Sequence, residues 1–217
     1  MWRRSYHSGV RLILASASPR RAELLRLAGY TFDIRTADID ESVRPGERPH
    51  DYVRRLALEK GAAVARALAS EEEAVPGAVG NPDSRTNRGD ADVLIVAADT
   101  SVIVDDEILG KPVDAADSER MLRLLSGRSH LVLTGVSVRS RTSEAGVVVE
   151  TAVFVQELSE ADMAWYVASG EGVDKAGAYA IQGLASRFIP RIEGSYANVV
   201  GLPVAEVARL IDERVTK

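Results

Sequence analysis

Apolar residues come in short blocks along this chain, and their spacing switches between the period of a strand and that of a helix. LILA, residues 12–15, is continuously apolar and reads as a short strand. Ser18 then serves as an N-cap and Pro19 takes the first helical position. Ala22, Leu24, Leu25, Leu27 and Ala28 supply the apolar face before Gly29 stops the helix. Phe32 and Ile34 alternate like a strand and lead into an acidic cluster, Asp38, Asp40 and Glu41. Beyond a loop with Pro45, Gly46 and Pro49, a helix is predicted over residues 51–69, with Tyr52, Val53, Leu56, Ala63 and Val64 on its apolar face. Lys60 falls four residues after Leu56 and seven after Val53, which puts a lysine on the inward face. The plainer fate of such a lysine is to snorkel its ammonium back to water.

Residues 70–91 are rich in Gly, Pro, Asn, Asp and Ser and carry no period, so a flexible surface insertion is expected there. Next, VLIVAA reads as a strand covered on both faces, and SVIV and EIL flank a DD turn as a hairpin. Asp99 therefore lies where the buried strand is expected to end, the end of a strand at which ligands of α/β sheets tend to bind. A helix over 114–125 and strands over 130–138 and 147–155 follow. Ser159 and Asp162 form a capping-box pattern for a helix that stops at Gly170, and an amphipathic helix runs from about 204 to 214. With no internal repeat and no linker, the chain reads as one α/β domain over residues 1–217, with both parallel and antiparallel pairing.

Length and charge narrow the functional classes. The 217 residues are ample for a large core, and a net charge of −5 argues against a general nucleic-acid binder. The absence of cysteine excludes disulfides, zinc–thiolate sites and cysteine nucleophiles. The apolar segment after the basic N-terminus breaks at Ser16, and no run approaches the ~18 apolar residues of a membrane span. A soluble, cytoplasmic protein is expected.

Several catalytic devices are missing. Lys111 sits in GKP without the glycine spacing or the Ser/Thr of a P-loop. His7, His50 and His130 lack metal-ligand spacing, and no G-x-S-x-G elbow occurs. In LILASASPRR, by contrast, a serine hydroxyl, free backbone N–H groups and the paired Arg20 and Arg21 meet at a helix start, where positive charge is otherwise unfavourable. That combination is an anion site, or else two solvated surface arginines. Glu41 and Asp99, unaccompanied by histidine or cysteine, suit a hard divalent ion such as Mg²⁺, which also binds substrate phosphates. Lys60, Lys111 and the arginines would neutralise charge on phosphoryl oxygens. The residues thus point to a metal-dependent enzyme acting on a phosphate ester or anhydride.

The ordered blocks LASASPRR, DIDE, RLALEKG, AADTSV, ILGKP, LLSGRSH with TGV, DKAGAYAIQG and IEGSYANVVGLP resemble the Maf family of nucleoside triphosphate pyrophosphatases, across residues 12–210. SPRR with AYAIQG is similar to the subgroup acting on dTTP and UTP rather than the one preferring 7-methyl-GTP. The resemblance implies a Maf and inosine-triphosphatase-like mixed sheet flanked by helices, with two lobes around a cleft, often in a homodimer. It also implies hydrolysis of the triphosphate to a monophosphate and pyrophosphate with Mg²⁺ or Mn²⁺, and a role in clearing unwanted nucleotides.

By the same resemblance, Asp99 matches the acid that accepts a proton from the attacking water. Glu41 matches the residue associated with the metal, and Lys60 and Lys111 match the phosphate-site lysines. Arg20, Thr100 and Gln182 match positions tied to substrate choice, and a glutamine amide can satisfy the donor–acceptor edge of a pyrimidine. Ser16, Ser18, Arg21 and Lys175 complete the phosphate pocket. Two features depart from the pattern: the 70–91 insertion, and Gly61 in place of the usual alanine, a change worth roughly 1 kcal/mol of helix stability. The competing readings are a nucleotide-sensing regulator of cell division and a pyrophosphatase for modified or purine nucleotides.

Overall fold

The computed structural model describes residues 10–73 and 92–215. Strand β1 (Val10–Ala15) leads into α1 (Pro19–Leu27), then β2 (Asp33–Arg35), α2 (Pro49–Glu73), β3 (Asp92–Val104), β4 (Glu107–Leu109) and α3 (Ala115–Leu125). The antiparallel pair β5 (Ser129–Arg139) and β6 (Glu144–Phe154) is followed by α4 (Glu160–Ala168), 3₁₀ turns at Ala176–Ala178 and Leu184–Phe188, β7 (Arg191–Glu193), α5 (Tyr196–Val200) and α6 (Val204–Val215). One mixed sheet of seven strands results, in the order β2-β1-β3-β5-β6-β7 with β4 on β3. β1 runs parallel to β2 and β3, and the other pairings are antiparallel.

The central position of β3 follows from its composition. Leu94, Val96, Ala98, Val102 and Val104 project to one face, Ile95, Ala97 and Ile103 to the other, and all are buried. On the second face lies α2, whose Val53 meets Ile103 and Leu133 while Val64 meets Ile13, Ala15, Ile95 and Ala97. On the first face two separate cores form. One joins Ala22 and Leu25 of α1 and Val207, Leu210 and Ile211 of α6 to Leu12, Leu14 and Val96. The other joins Met121, Leu122 and Leu125 of α3 and Met163 and Tyr166 of α4 to Val102, Val132 and Val153. Between them runs a polar seam: Thr100 is hydrogen-bonded to Thr134, Thr134 donates to the Asn198 carbonyl, and the Asn198 amide donates to the Val132 carbonyl and to Thr151 Oγ1.

α2 approaches the sheet closely. A Cβ on Gly135 of β5 would stand only 2.2 Å from the Val53 carbonyl oxygen, so this contact requires glycine.

Several expected boundaries shift. VLIVAA and SVIV are one strand rather than two, because β3 continues through Asp99 and Thr100 while pairing with β5 from Ile95↔Arg139 to Ile103↔Leu131. α2 begins two residues earlier than expected, at Pro49, and extends to Glu73, so the first residues of the expected insertion are helical; residues 74–91 lie outside the described residues. Leu27, expected on the apolar face of α1, is 77% exposed; the face that meets the core is made by Ala22 and Leu25, with Leu24 packed beside them. Ala28 is also exposed, as is Ile34 in the edge strand β2. The expected capping box at Ser159 and Asp162 is present, and Asp105 and Asp106 take the left-handed conformations that a tight two-residue hairpin requires.

Candidate active site

Sheet pairing creates the site. β1 pairs with β3 only as far as Ala15↔Ala97, and β4 takes up the same edge from Leu109↔Val102. Among the described residues, residues 98–101 therefore have no strand neighbour on that edge. The Arg21 side chain of α1 reaches into the gap, and a cavity of about 540 Å³ opens there, a size suited to a small-molecule ligand. Because side chains alternate along β3, Asp99 projects to the α2 face and Thr100 to the polar seam, and both reach this cavity.

All the residues singled out from the sequence line this one cavity: Ser16, Ser18, Arg20, Arg21, Glu41, Lys60, Asp99, Thr100, Lys111, Lys175 and Gln182. They differ in depth. Asp99 and Ser16 are buried, Lys60 keeps 12% of its side-chain exposure, and Glu41, Lys111 and Gln182 are exposed at the mouth. Lys60 Nζ donates to Asp99 Oδ1 at 2.7 Å and stands 2.7 Å from Glu41 Oε1. The inward lysine thus does not snorkel away; it holds two carboxylates from different elements.

Arg20 and Arg21, adjacent in sequence, have different fates. Arg20 has Asp174 as a distant partner at 3.9 Å. Arg21 donates from Nε to the Gly201 carbonyl (2.7 Å), from Nη1 to the Ala98 carbonyl (2.8 Å) and Ser16 Oγ (3.3 Å), and from Nη2 to Thr100 Oγ1 (3.0 Å). It therefore satisfies a β3 carbonyl that the gap leaves without a strand partner. Desolvation pulls its pKa below the usual arginine value, against the attraction of Asp99. Among the described residues this guanidinium faces no carboxylate at bonding distance, so it leaves the pocket floor positive.

The Lys175 segment is held by its backbone. Gly177 and Ala178 both adopt left-handed φ, a strained state for Ala178, and the Gly177 N–H donates to the Gly110 carbonyl, which ties the Lys175 loop to the one carrying Lys111. A Cβ on Gly177 would stand 2.9 Å from Val102 side-chain carbons. Lys175 contacts Asp174, whose carboxyl is held below its usual range chiefly by that hydrogen bond. Tyr179 closes the pocket from behind, with its hydroxyl 2.8 Å from His130 Nε2.

The residue types fit a hard divalent cation. Carboxylate oxygens of Glu41 and Asp99 converge on a single point, now the Lys60 ammonium, each at 2.7 Å. Among the described residues no cluster of three or more His, Cys, Asp or Glu could hold a metal alone. Any remaining coordination would fall to water and substrate oxygens, as Mg²⁺ prefers.

Sequence reasoning passed over several pocket residues. Tyr52 packs on the apolar face of its helix as its position predicts, and its hydroxyl in addition donates to the Glu41 carbonyl at 2.9 Å. Burial, with Asp99 and Glu41 nearby, pushes that hydroxyl's pKa up to about 12. Asp174 and Tyr179 were also missed, although both lie within the DKAGAYAIQG block.

Comparison with known proteins agrees with this geometry. Residues 11–214 match the family model described as "Maf-like protein". The dTTP/UTP pyrophosphatase of Anaeromyxobacter dehalogenans (strain 2CP-C) is 49% identical over 205 residues, covering 93% of this chain and 92% of that one. The enzyme of that name from Hahella chejuensis is 46% identical over 203 residues, and the one from Koribacter versatilis 42% over 206, covering 94% and 95% of this chain and 92% and 95% of theirs. With the match running from β1 to α6 and so taking in every wall of the cavity, the chain belongs to the Maf family.

Proposed function

We propose that this protein hydrolyses nucleoside triphosphates, dTTP and UTP foremost, to the monophosphate and pyrophosphate, keeping the nucleotide pool clean. Residues 1–217 would act as one catalytic unit, working in the cytoplasm where that pool is kept. The observation that carries the reading is Lys60 bridging Asp99 and Glu41 on the wall of a cavity lined with arginines and lysines.

In this reading Asp99 accepts the proton of the attacking water, and Lys60 holds its carboxylate in position. Arg20, Lys111 and Lys175 bind phosphate oxygens, and the charge of Arg21 stabilises them from the pocket floor. Ser16, Ser18 and the free N–H groups at the start of α1 add uncharged polar contacts for the same anion. Gln182, at the mouth, reads the base edge, and Thr100 acts on substrate choice through Arg21, which its hydroxyl holds. Mg²⁺ or Mn²⁺, held by Glu41 and Asp99, would neutralise charge on the phosphate oxygens. Release of pyrophosphate rather than phosphate follows the activity named for the relatives.

Chromatography of the products formed from dTTP, UTP, CTP, ATP, ITP and 7-methyl-GTP with Mg²⁺ tests this. Monophosphate and pyrophosphate, mainly from dTTP and UTP, are expected. Binding without cleavage of any member would favour a nucleotide-sensing regulator, and cleavage confined to ITP or ATP would overturn the pyrimidine preference.

A further inference from the structure

Glu41 lies on a stretch with no regular structure. Between β2 and α2 the chain forms neither helix nor strand, and the Glu41 side chain is 55% exposed. A carboxylate on such a loop would wander unless the loop were fastened. The fastening comes from one side of α2, from Tyr52, Arg55 and Glu59.

Arg55 is central to it. Its Nε donates to Glu47 Oε1 at 2.6 Å and its Nη2 to Glu47 Oε2 at 2.8 Å, a bidentate pair whose side chains are only 12% and 9% exposed. The same Nη2 donates to the Ser42 carbonyl at 2.9 Å, the residue after Glu41. Glu47 also accepts from the Arg44 N–H at 3.0 Å, and Arg44 reaches back to Glu59 at 2.9 Å. Tyr52 holds the Glu41 carbonyl itself at 2.9 Å, and the Arg55 guanidinium lies 5.6 Å from the centre of the Tyr52 ring. Glu41 itself and the residues that follow it to Glu47 are therefore tied to the helix that also carries Lys60.

We propose that the partly buried Arg55–Glu47 pair is a latch that positions Glu41 against Lys60, making Arg55 and Glu47 positioning residues. The inference rests on the role given to Glu41 above. Arginine suits the task because its planar fork reaches Glu47 and the Ser42 carbonyl at once, which a lysine cannot do.

Two measurements on the full chain test it. Hydrogen–deuterium exchange of peptides spanning residues 40–47 should accelerate about tenfold or more in Arg55→Ala, while the later turns of α2 keep their protection. Turnover of dTTP should fall by about 10- to 100-fold in Arg55→Ala, yet fall no further when Arg55→Ala is added to Glu41→Gln. Glu47→Gln, which leaves the helix sequence intact, should reproduce both effects if Arg55→Ala loosens α2 as well, and Arg55→Lys should rescue part of each. Unchanged exchange over 40–47 in Arg55→Ala and Glu47→Gln would overturn the latch. So would an equal fold loss in the wild-type and Glu41→Gln backgrounds. Full turnover by Glu41→Gln would instead overturn the role of Glu41 and the catalytic consequence drawn from it, with exchange still deciding the latch.

Discussion

The ammonium of Lys60 and the carboxylate of Asp99 meet at 2.7 Å, one projecting from a helix and the other from the open edge of a strand. Both side chains are nearly buried, so neither is well hydrated without the other. Asp99→Asn should lower turnover by about 10²–10⁴-fold, because the proton acceptor and one of the two carboxylates proposed for the cation are lost, while the arginines and lysines of the pocket keep nucleotide binding. Lys60→Met should lose turnover and also stability, on the order of 1–3 kcal/mol, since it leaves a buried carboxylate without its donor. Steady-state kinetics beside denaturant unfolding separates the two; undiminished turnover in Asp99→Asn would remove it from its proposed role.

The adjacent arginines should respond in opposite ways. Arg21→Lys cannot serve the Gly201 and Ala98 carbonyls and Thr100 together, and should cost about 1–3 kcal/mol in unfolding free energy. Arg20→Lys keeps the charge, and among the described residues Arg20 has only a distant, exposed partner in Asp174, so stability should stay within about 0.5 kcal/mol while the KM for dTTP rises. Melting curves and KM values for the two variants check the contrast.

Gly61 is a place where the helix can be improved. A Cβ there would meet Ser137 Oγ at 3.4 Å and Ala97 Cβ at 3.6 Å, both ordinary contacts. Gly61→Ala should therefore stabilise the protein by up to about 1 kcal/mol, raising Tm by about 2–4 °C, with turnover unchanged. A lower Tm would mean that α2 sits tighter on the sheet than these distances indicate.

His130 makes stability depend on pH. Burial, with Arg128 nearby, pulls its pKa down to about 4, so the folded protein holds the ring neutral where an unfolded chain would protonate it near 6.5. The unfolded state then binds more protons between these values, and stability falls as pH drops from about 6.5 to about 4, by up to about 3 kcal/mol. Above 6.5 this contribution is fully present. Denaturant unfolding at pH 8 and pH 5 should show the decline in the wild type and a flatter profile in His130→Gln.

Much of this was legible along the chain. Ser18 with Pro19, Ser159 with Asp162, and the paired aspartates of the hairpin act through local chemistry, and each stands where its type requires. The inward placement of Lys60 was equally readable from period alone. The continuity of β3 was not, because polar Asp99 and Thr100 interrupt its apolar pattern; they are tolerated there since the ladder on one side is missing. The short 3₁₀ turns, β7 and the five-residue α5 have too few residues to display a period. For the site, the charged residues could be found one by one, but their assembly depends on β1 stopping short of β4. The division of labour between Arg20 and Arg21 was also hidden, since it turns on which acceptors the fold brings near.

The bare patch at Gly135 has a consequence for the chemistry some distance away. Helix α2 rests backbone against backbone there, and Lys60 lies about 10 Å further along the same helix from Val53. The reach of a four-carbon side chain to Asp99 is thus metered by a position with no side chain at all. Any residue larger than glycine would lift the helix off the sheet, and the site would respond as though its lysine had been cut short.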